Sequence, residues 1–239
     1  MKDQTPLILA LDVATPATAL DILDETGDAL SFIKIGHQLY ALGGLPFVRE
    51  IMNRGYRVFL DLKLHDIPNT VRMAVEVLSG EGLWALTLHC SGGRSMMRAA
   101  REVVDAHGAD TMLLGVTVLT SLDEAEWSEV HPNCPMDEAL ARRAACARDA
   151  GMHGIVCSPS DLAVVRAAAG QEMKTVVPGV RFETGGDDQS RTGTPRETIC
   201  AGADYLVVGR PILKAANRVE MIERIAGDIR EGFACRKKM

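Results

Sequence analysis

The stretch Tyr56-Arg57-Val58-Phe59-Leu60-Asp61-Leu62-Lys63-Leu64-His65-Asp66-Ile67-Pro68-Asn69-Thr70 decides the reading of the fold. Residues 56–64 form an apolar run of strand length, and from Thr70 to Leu78 apolar residues recur at helical spacing. Side chains alternate along a strand, so Asp61 and Lys63 face one way while Leu62 and Leu64 face the other. Charges on the covered face of a strand are costly unless they pair. Two opposite charges on one face, with Asp66 just beyond, read as a working site.

The same strand-then-helix unit recurs in both directions. Strands are predicted at 7–13, 31–36, 56–64, 84–90, 111–120, 154–159, 174–180 and 205–212. Helical periodicity follows in Ser95 to Ala106, Glu138 to Ala150 and Asp161 to Ala168, and after the last strand in Ala216 to Arg230. Regular alternation implies a parallel sheet. Eight such units in 239 residues predict an α/β fold of the (β/α)8 TIM barrel type, a single domain over residues 1–239. A doubly wound open sheet is the competitor, because periodicity alone does not close a barrel. The stretch from His131 to Pro135 is read as an elaborated loop.

Composition narrows the function. Apolar residues make up 47% and charged residues 24%, as in an ordinary globular protein. A net charge of -6 argues against nucleic acid and anionic membranes as partners. No apolar run is long enough to span a bilayer, and Met1 to Pro6 lacks a signal pattern, so a cytoplasmic location is expected. The cysteines (Cys90, Cys134, Cys146, Cys157, Cys200 and Cys235) form no C-x-x-C pair and are expected to be reduced small hydrophobes.

Polar residues fall at or just past the predicted strand ends: Asp12, Lys34, Asp61, Lys63, His89, Thr120, Ser158, Arg181 and Arg210. In a barrel these ends share one rim, where active sites form. If Asp12, Lys34, Asp61, Lys63 and Asp66 converge there, Lys63 is a positioned ammonium, suited to general acid work and not to a Schiff base. A purely structural ion-pair network is the alternative. So is Mg2+ shared by Asp61 and Asp66, which the two lysines oppose. His89 is read as a hydrogen-bonded barrel residue. Gly209 and Arg210 follow the last strand, where barrels often bind phosphate; glycine lets the backbone approach an anion and arginine donates paired hydrogen bonds. From Phe182 to Pro195 periodicity is lost, which reads as a lid able to close Gln189 onto a ligand.

These residues resemble the orotidine 5'-phosphate decarboxylase family. The resemblance rests on Leu9-Ala10-Leu11-Asp12, Ile33-Lys34-Ile35-Gly36, the block from Asp61 to Thr70, Val116-Thr117-Val118-Leu119-Thr120-Ser121, Pro178-Gly179-Val180-Arg181, Asp187-Asp188-Gln189 and Val208-Gly209-Arg210-Pro211-Ile212. It implies a cofactor-free, metal-free barrel enzyme, usually a homodimer, that converts orotidine 5'-monophosphate (OMP) to UMP and CO2. It makes Lys63 the proton donor to C6 of the pyrimidine, flanked by Asp61 and Asp66. Asp66, Ile67 and Thr70 match positions that reach the site from a partner subunit. Asp12 and Lys34 match ribose contacts, and Thr120 matches a contact at the pyrimidine edge. Pro178 and Arg181 match the substrate and phosphate site. Gln189, Arg210 and the backbone of Gly209 match the phosphate grip.

Two other functions remain open on the sequence. Sugar-phosphate decarboxylases and aldolases of the same barrel group share an Asp-x-Lys-x-x-Asp segment and use Mg2+, with an acid where this chain has Lys34. A non-catalytic nucleotide-binding barrel is the other, since a fold does not establish chemistry.

Overall fold

A computed structural model describes residues 5–181 and 192–237. Strands β1 (Leu7–Ala10), β2 (Phe32–Ile35), β3 (Arg57–Leu64), β4 (Ala85–His89), β5 (Met112–Val116), β6 (Gly154–Val156), β7 (Lys174–Val177) and β8 (Tyr205–Val208) are parallel. They pair in sequence order and β8 returns to β1, closing a barrel. The connecting helices are α1 (Pro16–Thr26), α2 (His37–Asn53), α3 (Pro68–Ser79), α4 (Gly93–Ala106), α5 (Glu124–Val130), α6 (Met136–Asp149), α7 (Leu162–Ala169), α8 (Pro195–Cys200), α9 (Arg210–Leu213) and α10 (Arg218–Arg236). The fold is the (β/α)8 barrel that the sequence predicts, and the open-sheet competitor is set aside by the β1–β8 pairing.

The strands are apolar on both faces because both faces are covered. Ile8, Ala10, Phe32, Phe59, Val116 and Val207 point into the barrel lumen with their neighbours. Leu9, Ile33, Ile35, Val58, Leu60 and Leu86 pack outward against the helices. Near the amino ends of the strands the lumen holds an aromatic cluster. Trp84 lies 4.6 Å from Phe32 and 5.0 Å from Tyr205 between ring centroids. With that end filled by rings, space for a ligand is left at the carboxyl ends.

Several strands stop earlier than predicted. β1 ends at Ala10, β5 at Val116, β6 at Val156 and β8 at Val208, and Arg210–Leu213 is helical where a strand was expected to continue to 212. The rim residues leave the hydrogen-bond ladder to build loops, and their apolar neighbours pack without it. The loop around His131 to Pro135 is tied to a small folded unit. Trp127 of α5 packs with Val118, Met136 and Leu140, and its indole N–H donates to Cys134 O at 2.6 Å.

The cysteine expectation needs a correction. Cys200 and Cys235 are joined by a disulfide, with their Cα atoms 5.5 Å apart. They are 35 residues apart in sequence, so no local motif signals the pair. Close packing of α8 on α10 brings them together. Gly232 permits that approach, since a Cβ there would stand 2.7 Å from Ile199 Cβ and 2.8 Å from Arg196 O. Cys90, Cys134, Cys146 and Cys157 are not disulfide-bonded.

Candidate active site

Strand alternation delivers the polar groups to the rim. Asp12 lies two residues past inward-facing Ala10, Lys34 past Phe32, Asp61 past Phe59, Thr87 past Ala85, Pro178 past Val176 and Gly209 past Val207. These six strands thus carry an apolar side chain in the lumen and a site residue above it.

Three of these side chains, with Lys63, form a chain of alternating charge. Lys34 Nζ is 3.1 Å from Asp12 Oδ1 and 3.6 Å from Asp61 Oδ2. Lys63 Nζ donates to both carboxylate oxygens of Asp61, each at 2.9 Å. Thr87 Oγ1 donates to Asp61 Oδ1 at 2.9 Å. Asp61 is the buried hub. Burial is the largest single influence on its carboxyl and pushes its pKa upward. The charges of Lys34 and Lys63 and the hydrogen bonds from Lys63 and Thr87 together outweigh it, so the carboxyl lies below its ordinary value. Gly36 leaves room for the cluster, since a Cβ there would stand 3.3 Å from Lys34 Nζ.

Regular alternation is not what brings Lys63 to Asp61. Leu60 pairs with Leu86 and Leu64 with Leu88, so four residues of β3 advance against two of β4. Lys63 has φ 48°, the only positive φ at a non-glycine among the described residues. Such a conformation costs on the order of 1–3 kcal/mol and persists where the surroundings fix it. Here the Lys63 N–H donates to Thr87 Oγ1 at 2.8 Å. The period-2 reading therefore pairs the right residues, but a bulge at a strained lysine makes the pair.

Asp66 does not join this cluster. It is exposed in the β3–α3 loop and its Oδ1 accepts a 2.6 Å hydrogen bond from the Ile67 N–H. Ile67 and Thr70 are exposed beside it. Within one chain, Asp12, Lys34, Asp61 and Lys63 come together and Asp66 stands outside them.

Above the cluster is a cavity of about 500 Å3. Asp12, Lys34, Asp61 and Lys63 line it on one side, and Thr120, Pro178, Arg181, Gly209 and Arg210 also border it. Phe59, Val116, Val118, Val156 and Val207 supply an apolar wall. Arg181 Nη1 donates to Val180 O at 2.8 Å, and the Arg181 N–H donates to Gly193 O at 2.9 Å. The second bond clasps the two ends of the expected lid. Gln189 and the rest of the segment 182–191 lie outside the described residues.

His89 and Ser158 stand apart from the cavity lining. Burial, followed by the nearby Arg143, His65 and Lys63 charges, pushes the His89 pKa down to about 4, so the ring is neutral near pH 7. Its Nδ1 accepts from the Ser91 N–H at 3.3 Å and the ring stacks on His65 at 5.4 Å. The Ser158 N–H donates to Asp161 Oδ2 at 3.1 Å. Sequence reasoning missed Thr87, Ser121 and the apolar wall. Thr87 was detectable as the one polar residue in the run Ala85-Leu86-Thr87-Leu88, in phase with the inward-facing positions. Ser121 carried no such signal, because it lies beyond the end of β5.

Among the described residues no group of three His, Cys, Asp or Glu side chains is placed to hold a metal ion, and no helix is long and apolar enough to cross a membrane.

Known proteins resemble this chain along nearly its whole length. The family model described as "Orotidine 5'-phosphate decarboxylase / HUMPS family" matches residues 5–225. A protein of Neisseria meningitidis serogroup C named orotidine 5'-phosphate decarboxylase is 40% identical over 226 residues, covering 94% of this chain and 92% of its own. One of Aliivibrio fischeri with the same name is 41% identical over 228 residues, covering 94% and 97%. The crystal structure of orotidine 5'-phosphate decarboxylase from Lactobacillus acidophilus superposes with a TM-score of 0.83 at 32% identity, covering 95% of this chain and 99% of that one. With its barrel, its rim cluster and these relatives, the chain belongs to the orotidine 5'-phosphate decarboxylase / HUMPS family of enzymes.

Proposed function

We propose that this chain decarboxylates OMP to UMP and CO2 in pyrimidine synthesis, as a cofactor-free cytoplasmic enzyme whose whole length serves as one catalytic domain. The observation that carries the reading is the Lys63 ammonium, held at 2.9 Å by both oxygens of Asp61 on the border of a cavity that also reaches Arg210. The C6–carboxylate bond breaks and its electron pair stays on C6 as CO2 leaves. That pair lies in the ring plane, out of reach of π delocalisation, so catalysis needs a localised positive charge. Lys63 supplies it and then delivers a proton to C6, and solvent reprotonates the amine. Asp61 fixes the ammonium and stands near the departing carboxylate.

The remaining residues divide the substrate between them. Asp12 and Lys34 take the ribose hydroxyls, Thr120 the pyrimidine edge, and Pro178 the wall beside it. Arg181, Gln189, Gly209 and Arg210 take the phosphate. Phosphate binding far from C6 supplies energy that organises the reacting end.

Asp66, Ile67 and Thr70 act in the site of a second copy. Ile67 is 66% exposed and Val77 60%, with Met73 exposed on the same face of α3 as Val77. An apolar face of this kind next to an exposed carboxylate suits a homodimer with shared sites. The magnesium-dependent sugar-phosphate reaction fits less well, because Lys34 and Lys63 already neutralise the carboxylate a cation would need.

The test is loss of OMP absorbance with purified, chelator-treated protein. Turnover is expected, and Lys63→Ala should remove nearly all of it while the fold persists. A wild-type protein inert toward OMP, or a Lys63→Ala variant that retains substantial turnover, overturns the reading.

A further inference from the structure

We infer that Thr87 is a positioning residue for the decarboxylation, holding Lys63 and Asp61 in their reacting arrangement through one hydroxyl. The inference rests on the proton-donor reading of Lys63 above. Thr87 is fully buried and does not border the cavity, so it reaches a substrate only through its neighbours. It sits on β4 between Leu86 and Leu88, opposite the bulged residues of β3. Its oxygen accepts from the Lys63 N–H at 2.8 Å and donates to Asp61 Oδ1 at 2.9 Å. Lys63 Nζ returns to the same Oδ1 at 2.9 Å, which closes a ring of hydrogen bonds.

A hydroxyl has one hydrogen to give. With that hydrogen committed to the carboxylate, its lone pairs face the amide, so both bonds share one fixed orientation. Lys63 is thereby held at two points: its backbone by Thr87 and its ammonium by Asp61, which Thr87 also holds. The backbone restraint matters because Lys63 has φ 48°, a conformation a lysine leaves readily when nothing fixes it. A shift of the backbone would carry the ammonium away from the position where charge develops, and misplacement on the order of 1 Å can cost about a hundredfold in rate.

The test compares Thr87→Val, Thr87→Ser and Thr87→Ala. Valine keeps the shape without the hydroxyl, and the serine–alanine pair isolates the hydroxyl in a smaller side chain. Thr87→Val and Thr87→Ala are expected to lower kcat about 10- to 100-fold, the scale of one hydrogen bond to a charged group. UMP affinity by calorimetry should stay within about twofold, because the cavity lining is intact. Thr87→Ser should recover most of the rate.

Wild-type kcat in the valine and alanine variants overturns the inference. Equal impairment of Thr87→Ser and Thr87→Ala does so too, since size and not hydrogen bonding would then matter. A loss of UMP affinity in step with kcat, or failure of the hydroxyl-free variants to fold beside a folded Thr87→Ser, makes Thr87 a structural residue and also overturns it. Lys63→Ala serves as the reference: active, it sinks the proton-donor reading; inactive beside fully active Thr87 variants, it sinks only the role of Thr87.

Discussion

Lys34 and Asp61 are paired across adjacent strands, Nζ to Oδ2 at 3.6 Å, with 12% of each side chain exposed. Each of the two also holds a second partner of opposite charge, Asp12 for Lys34 and Lys63 for Asp61. Removing one inner member leaves a buried charge short of compensation. Lys34→Met should therefore raise the Asp61 carboxyl towards its ordinary value and lower kcat/KM for OMP by about 1.5–3 kcal/mol. Steady-state kinetics decides it, and a variant with wild-type kcat/KM removes Lys34 from the site.

Arg210 follows Gly209 at the end of β8 and borders the same cavity. Arg210→Ala should lower kcat/KM for OMP by about 1.5–3 kcal/mol, the scale of a charge-assisted hydrogen bond. Orotidine, which lacks the phosphate, should react equally slowly with variant and parent. An equal loss on both substrates would mean that Arg210 does not bind phosphate.

The placement of Asp66 bears on assembly. Lys63→Ala and Asp66→Ala proteins should each be inactive. Mixed and allowed to exchange, a heterodimer carries one site with both residues intact, so up to about a quarter of wild-type activity per subunit is expected for random exchange. No recovery after exchange is verified by mass spectrometry refutes the shared site.

His89 links stability to acid. Its folded pKa is about 4, against an ordinary value of 6.5. As pH falls below 6.5 the unfolded chain takes up this proton before the folded one does, so stability declines from pH 6.5 to about 4. His153, lowered by burial and by Arg101, adds to the decline with the same sign. Asp61, also lowered, contributes stability that is present above the ordinary carboxyl value of 3.8 and fades below it. Urea denaturation at a series of pH values measures this, and His89→Asn should flatten part of the decline between 6.5 and 4. A wild-type profile that is level across that window rules the account out.

The Cys200–Cys235 bond ties α8 to α10 across 35 residues. Closing a loop of that length contributes about 2–4 kcal/mol by restricting the unfolded chain. Cys200→Ser should be less stable by that amount, and dithiothreitol should lower the melting temperature of the parent but not of the variant. Equal responses to dithiothreitol would disconnect the bond from stability.

Much of the site was legible in sequence because strand alternation is a local rule. Asp12, Lys34, Asp61 and Gly209 each continue the inward phase of an apolar strand, and their neighbours identify that phase. Where local rules end, periodicity no longer says where a residue goes. Asp66 is five residues from Asp61, yet the β3–α3 loop carries it out of the cluster. The predicted strand ends run past the observed ones because apolar rim residues are buried without joining the ladder. The disulfide was invisible because nothing near Cys200 points to Cys235.

Sequence alone determined the eightfold alternation of strand and helix, the inward face of each strand, and the clustering of lysines and carboxylates at the strand ends. These follow from periodicity and from the cost of burying a lone charge. Tertiary structure decided that β8 pairs with β1, that four residues of β3 advance against two of β4, and that the Thr87 hydroxyl spans the gap between Lys63 and Asp61. Those depend on which backbones lie side by side, and pairing between distant segments is a property of the closed barrel as a whole, absent from any single stretch of chain.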